Sequence, residues 1–391
     1  MRLIKLIKNN KQIFLIITLL IVFVVLLFLE ISSIFLSNEE HELTNEKSKP
    51  DEIIKILETK DLNKQVQKYK ELIERKGAVD AQEYLHKSGL PFNGQSHLLN
   101  HTAGDWLYGE HGASGLVYCK DYFLQSCYHG FIIRLIGESG LSAVSDAMGE
   151  CKKQGGHVYA QCSHAIGHGF LAWVGYAELT QALDLCDRIS AEINNFPVFN
   201  CYDGVFMENV WAAHEGGKTS SDRWVDVNDP QYPCNDTRIK EKYLQGCWSN
   251  QPSIMHEIFK GDLRRIGEEC VKLTSDDFKT TCFNALSRQI HPFTDGSADK
   301  TFVLCSNMPS KEWEHYCVKV IASADFSVGG RDVGFDICDK IYQQVHREEC
   351  YGNLIGQIKA FAKNSEEKNL WCNKIKEESL REECLNSELY N

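Results

Sequence analysis

Five histidines and two carboxylates stand at spacings that suit metal chemistry. His97 and His101 are four residues apart, as are His164 and His168, and the stretch Ser96 to His101 parallels Ser163 to His168. Two imidazoles at i and i+4 leave a helix from the same side, which is a metal-ligand spacing. His129 falls between the two pairs, and Asp203 and Glu208 follow them. Imidazole with carboxylate donors suits zinc first, and copper or iron accept the same groups. Were the centre catalytic, Glu208, one turn beyond Asp203, would serve as the general base. The competing reading is a structural network of buried, hydrogen-bonded histidines without a metal.

The elements that must position these side chains are marked by the cysteines. The sixteen cysteines fall into pairs along the chain. They are Cys119 with Cys127, Cys151 with Cys162, Cys186 with Cys201, Cys234 with Cys247, Cys270 with Cys282, Cys305 with Cys317, Cys338 with Cys350 and Cys372 with Cys384. The pairs recur at a period near 35 residues, the signature of helical hairpins stacked into a solenoid. Apolar residues repeat at three and four spacing, as in 348–361, with no strand-like alternation. A disulfide between the two helices of a hairpin would close a loop of about 13 residues, contributing roughly 3 kcal/mol by the chain-entropy estimate. Zinc held by cysteine is disfavoured, since no C-x2-C occurs. The fold expected is all-α: disulfide-stapled helical-hairpin repeats, an α-solenoid, behind one N-terminal transmembrane helix. The plan resembles the cysteine-rich Sel1-like solenoids, in which a disulfide ties the two helices of each repeat. The spacing here differs and that family's motif is absent, so the resemblance implies architecture alone.

Aligning the repeats places the histidines in register. Two residues after the second cysteine stand His129, His164, Asp203, Ser249, Asn284, Lys319, Gly352 and Asn386, and a cysteine-free hairpin at about 77–109 contributes His97. His101 and His168 lie one helical turn further on. In a solenoid the second helices stack side by side, so neighbouring imidazoles can converge on one ion. The later repeats lose this chemistry, which confines the site to the first four. The aromatic residues that follow the second cysteines, Tyr128, Tyr202, Trp248, Phe283 and Tyr351, are expected in the core.

Ile13 to Leu29 is uncharged, and Ile31 to Leu36 extends it. Arg2, Lys5, Lys8 and Lys11 precede this run and Glu39, Glu40 and Glu42 follow it. The positive-inside rule then predicts a basic cytoplasmic stub at 1–12, an uncleaved signal anchor at 13–36 (a cleaved signal peptide being the competing reading), a charged helical spacer at 37–75, and about nine extracytoplasmic hairpins at 76–391. That compartment (periplasmic, extracellular or lumenal) is oxidising, in keeping with the cysteines. Asn100 and Asn235 head glycosylation sequons. With 42 Lys and Arg against 54 Asp and Glu, the net charge of −12 argues against a nucleic-acid partner and is compatible with cations. A protein, peptide or glycan is the expected occupant of a solenoid groove. Residues 214–233, rich in Gly, Ser, Asp and Pro, read as a surface loop. His214-Glu215 and His256-Glu257 lack the second histidine of a zinc-protease helix, and no C-x-x-C-H is present for haem. The sequence therefore predicts a membrane-anchored binding protein with a histidine-rich metal or ligand site. A metal-dependent hydrolase or oxidoreductase on the same cluster, or a metal-free scaffold, is the alternative.

Overall fold

Helices account for every regular element among the described residues, which in this computed structural model are 49–88, 94–120, 122–123, 125–211, 222–327, 331–362 and 364–389. The expected anchor at 13–36 and the basic stub before it lie outside these. Among the described residues no helix is long and apolar enough to cross a membrane. The chain divides into two units, Met1–Glu58 and Thr59–Asn391. The first contributes α1 (Lys49–Leu57).

The second unit opens with α2 (Leu62–Lys76), α3 (Ala78–Lys87), α4 (Gly94–His111) and α5 (Ser126–Ser139). There follow α6 (Val144–Lys153), α7 (Gly156–Val174), α8 (Leu179–Glu192), α9 (Val198–Trp211) and α10 (Leu244–Ile258). Then come α11 (Leu263–Val271), α12 (Asp276–Ile290), α13 (Ala298–Cys305) and α14 (Lys311–Ser327). The chain ends with α15 (Arg331–Asp339), α16 (Gln344–Phe361), α17 (Ser365–Cys372) and α18 (Glu378–Asn386).

All eight expected disulfides form, with Cα–Cα separations from 5.4 Å for Cys119 with Cys127 to 6.4 Å for Cys151 with Cys162. That span is ordinary for a disulfide, and no cysteine is left free. Six of the bonds join one helix to the next. Cys151 with Cys162 ties α6 to α7, Cys186 with Cys201 ties α8 to α9, and Cys270 with Cys282 ties α11 to α12. Cys305 with Cys317 ties α13 to α14, Cys338 with Cys350 ties α15 to α16, and Cys372 with Cys384 ties α17 to α18. The other two differ from the hairpin pattern, because their first cysteine follows no α-helix directly. Cys119 with Cys127 ties the end of a short 3₁₀ segment to α5, and Cys234 with Cys247 ties the turns before α10 to that helix.

The longer helices pack in chain order, α4 on α5, then α7, α9, α10, α12, α14 and α16, each against its predecessor. α7 lies in the middle of its neighbourhood: α5, α6, α8 and α9 all touch it, and Cys162 to Leu171 is buried without a break. An apolar stripe on one face would not suffice there, and the polar groups the stretch does carry, Ser163, His164 and His168, are hydrogen-bonded. Gly175, at φ +99°, ends α7 in a conformation that a side chain would strain. The five aromatic residues after the second cysteines are all buried.

Local capping fixes several starts. The side chains of Asp61, Asp262, Ser297 and Asn364 accept from the backbone N–H three residues on, at the heads of α2, α11, α13 and α17. Three further features add to expectation. At the end of the stretch 37–75, expected as a charged helical spacer, residues 62–76 form α2, whose Tyr69, Leu72 and Ile73 are buried and which packs on α3 and α4. The described part of the 214–233 insertion is pinned to the body. Its Trp224 is buried, donates through Nε1 to Ala177 O, and exchanges two hydrogen bonds with Asn209. Asn100 is fully buried and donates to Ser126 Oγ at 2.9 Å, which leaves no room for a glycan on that sequon. Asn235 is exposed.

Candidate metal centre

The five histidines meet. His97 and His101 come from α4, His129 from α5, and His164 and His168 from α7. Each of those helices packs on the next, so imidazoles on matching turns face one another. His97 is half-buried and the other four are buried. His129 Nδ1 lies 3.2 Å from both His97 Nε2 and His101 Nε2. His164 Nε2 and His168 Nε2 are 3.1 Å apart. The rings of His164 and His168 are 5.1 and 5.0 Å from that of His129, centroid to centroid. Two trios can each hold a metal ion: His97, His101 and His129, and His129, His164 and His168. Within each, one ligand nitrogen per residue lies within 4.8 Å of the others. Nitrogens bound at about 2.0–2.1 Å to one tetrahedral ion stand about 3.3–3.4 Å apart, close to the separations found here.

The outer groups decide which nitrogen faces inward. His97 Nδ1 donates to the backbone carbonyl of Phe123 at 2.9 Å. His164 Nδ1 pairs with Asp203 Oδ2 at 3.1 Å, and His168 Nδ1 with Glu208 Oε2 at 2.8 Å. A carbonyl or carboxylate only accepts, so these three Nδ1 atoms carry the protons. In the neutral rings the three Nε2 atoms then present bare lone pairs. Asp203 in turn accepts from Ser249 Oγ, and from Asn250 Nδ2 at 2.9 Å. Burial opposes its ionisation, but the hydrogen bond and charge of His164, with those two donors, outweigh it and hold the carboxyl below its usual value. Glu208, itself buried, accepts from Tyr176 OH at 2.6 Å on its other oxygen. Asp203 and Glu208 thus stand behind His164 and His168, where a carboxylate orients a ligand and raises its basicity. That is a different place from the ligand position expected for Asp203 and the general-base position expected for Glu208.

His129 sits at the junction of the trios. Burial first, and then the surrounding imidazoles His168, His97, His164 and His101, push it well below the ordinary histidine value. Its Nε2 is buried and has no hydrogen-bond partner.

Glycines allow the helices this close. An ideal Cβ on Gly130 would lie 1.9 Å from His101 O, and one on Gly104 1.9 Å from Cys127 O. The same reciprocal contact joins α7 and α9, with Gly204 against His164 O and Gly167 against Cys201 O, both at 2.0 Å. At these two crossings backbone touches backbone.

The repeat alignment found every histidine of the cluster. It missed Phe123, Tyr176, Ser249 and Asn250. A backbone carbonyl leaves no mark in a sequence, and Tyr176 lies at no repeat position shared with the others. Ser249 does stand in the histidine column, and its contact with Asp203 continues the column's line. Members of that column meet in order, from His97 to His129, His164, Asp203 and Ser249. No family model, curated protein or solved structure matches this chain.

Proposed function

We propose that the chain is a membrane-anchored, extracytoplasmic metal-binding protein. In this reading it is a disulfide-stapled α-solenoid whose first four repeats carry a histidine centre for zinc, or else copper or iron. One observation carries the metal. His164 Nε2 and His168 Nε2 face each other at 3.1 Å, while both Nδ1 protons are committed to carboxylates. Two bare lone pairs at that distance repel unless a cation, a metal ion or a proton, lies between them. The carboxylates behind the rings, the buried setting and the acidic charge of the chain all support it. The anchor rests on the uncharged run from Ile13 to Leu29 with cations before it and acids after it. The oxidising compartment rests on the eight disulfides. The solenoid reading rests on the period of the cysteine pairs and on the chain-order packing of the longer helices.

Elemental analysis of the full chain, purified in detergent and dialysed against trace zinc, copper and iron, tests the reading. Stoichiometric metal in the wild type and less in the His164→Ala/His168→Ala double variant is expected. A metal-free wild type overturns it.

A second reading makes the same centre catalytic. Each trio offers three nitrogens, which leaves the fourth tetrahedral position to an outside molecule, as in catalytic rather than structural zinc sites. In cobalt-substituted protein, azide should then shift the visible spectrum. An unchanged spectrum removes this reading.

A further inference from the structure

His129 belongs to both trios, and a single imidazole has two nitrogens. We infer that His129 bridges two metal ions as an imidazolate, Nδ1 toward the ion of His97 and His101 and Nε2 toward that of His164 and His168. This deepens the metal reading and rests on it.

Three observations support the bridge. Nδ1 of His129 is 3.2 Å from the Nε2 atoms of both His97 and His101, so it is the nitrogen that completes the first trio. The ring's other nitrogen, Nε2, is buried with no hydrogen-bond partner, although nearly all buried polar atoms have one. The second trio requires a His129 nitrogen within 4.8 Å of the His164 and His168 ligand atoms. With Nδ1 assigned to the first trio, Nε2 is assigned to the second.

In neutral rings the single N–H of His97, His164 and His168 points outward, to Phe123 O, Asp203 and Glu208. A neutral His129 likewise holds one proton. Loading of the second ion then displaces the remaining N–H proton of His129 to solvent, so the ring enters as an anion with one lone pair for each metal.

The ions this suits are borderline divalent cations that accept imidazole, zinc and copper(II) above all. Four neutral rings and one anionic ring carry little negative charge between two dications. Asp203 and Glu208 supply two more negative charges directly behind the second position.

Copper(II) is the probe. The full chain in detergent is titrated with copper(II), and bound copper and electron paramagnetic resonance intensity are measured together. Two ions per chain are expected, with the low-temperature spin count well below two because the imidazolate couples them. The His97→Ala/His101→Ala and His164→Ala/His168→Ala variants should each keep one ion with a full, uncoupled spin, and His129→Ala should show no coupling at any loading. Either double variant suffices should His129→Ala fail to fold. Two ions with two full spins in the wild type overturn the bridge and leave two separate sites. One ion per chain also overturns it while leaving the metal reading intact. No bound copper overturns both.

Discussion

Replacing Gly204 with alanine tests whether backbone contact between α7 and α9 sets the geometry of the centre. The new Cβ would lie 2.0 Å from His164 O and 2.9 Å from its carbonyl carbon. Real Cβ atoms essentially never approach closer than 3.0 Å, so the helices must part by roughly 1 Å. The obstruction is a main-chain carbonyl, which no rotamer change can move aside. Overpacking of this kind costs about 1–3 kcal/mol, and the rigid partner argues for the upper end. Alanine returns up to about 1 kcal/mol through helix propensity, which leaves a net loss of about 2 kcal/mol. Gly149, exposed in the middle of α6 with nothing within 4 Å of its would-be Cβ, is the matched control. Gly149→Ala should stabilise by up to about 1 kcal/mol. Urea denaturation of the oxidised full chain, followed by circular dichroism with midpoint and slope fitted separately, reads both changes. Gly204→Ala should also lower metal content, because the shift pulls His164 away from Asp203. A Gly204→Ala protein as stable as Gly149→Ala would refute the packing argument.

Three other outcomes follow from the geometry. Glu208→Gln keeps the size of the side chain but offers His168 and Tyr176 only one acceptor oxygen, so zinc affinity in a competition titration should fall about 10–100-fold; unchanged affinity would show that Glu208 does not orient His168. Replacing both Cys270 and Cys282 with serine should cost about 2–4 kcal/mol by denaturant midpoint, and a loss under about 1 kcal/mol would mean that packing alone holds α11 to α12. Asp236 is held at about 2, chiefly by its hydrogen bond from Arg238, against about 3.9 in an unfolded chain. Its contribution is therefore full above about pH 4 and lost as the pH falls through about 2. Stability measured from about pH 5 to about pH 2 should fall less steeply in Asp236→Asn than in the wild type, and parallel curves would remove Asp236 from the account.

How much of this could be read beforehand depends on the kind of signal. The disulfides were legible because cysteine has few roles and the pairs recur at a period near 35 residues, broken by one longer insertion. What the period did not show is that Cys119 and Cys234 follow no α-helix directly, since a cysteine marks a crossing point and not the element that reaches it. The histidine column was legible through the same alignment, since a repeat position translates directly into a shared helix turn. The inward direction of each ring was not legible. It depends on which nitrogen finds an acceptor, and the acceptors range from a neighbouring backbone carbonyl at Phe123 to Glu208, forty residues from His168. The side on which Asp203 stands was not legible for the same reason: its place in the column marks it as a neighbour of His164 without saying on which side of the ring it lies. The glycines beside the histidines hinted at close helices, but only the paired approach of Gly130 to His101 and Gly204 to His164 shows backbone against backbone. The attachment of α2 was hidden by its charged composition, because Tyr69, Leu72 and Ile73 are few among lysines and glutamates.

Each disulfide joins a cysteine to the next cysteine in the chain, never more than 15 residues away. This order matters while the protein is being made. A chain that enters an oxidising compartment in sequence order exposes its cysteines one after another, and each finds its native partner as the next to arrive. An oxidase that joins cysteines in order of emergence reaches the full native set with no later exchange of partners. The covalent frame can thus be completed hairpin by hairpin during export. The bonds beside His129 and His164, Cys119 with Cys127 and Cys151 with Cys162, would be the first to close.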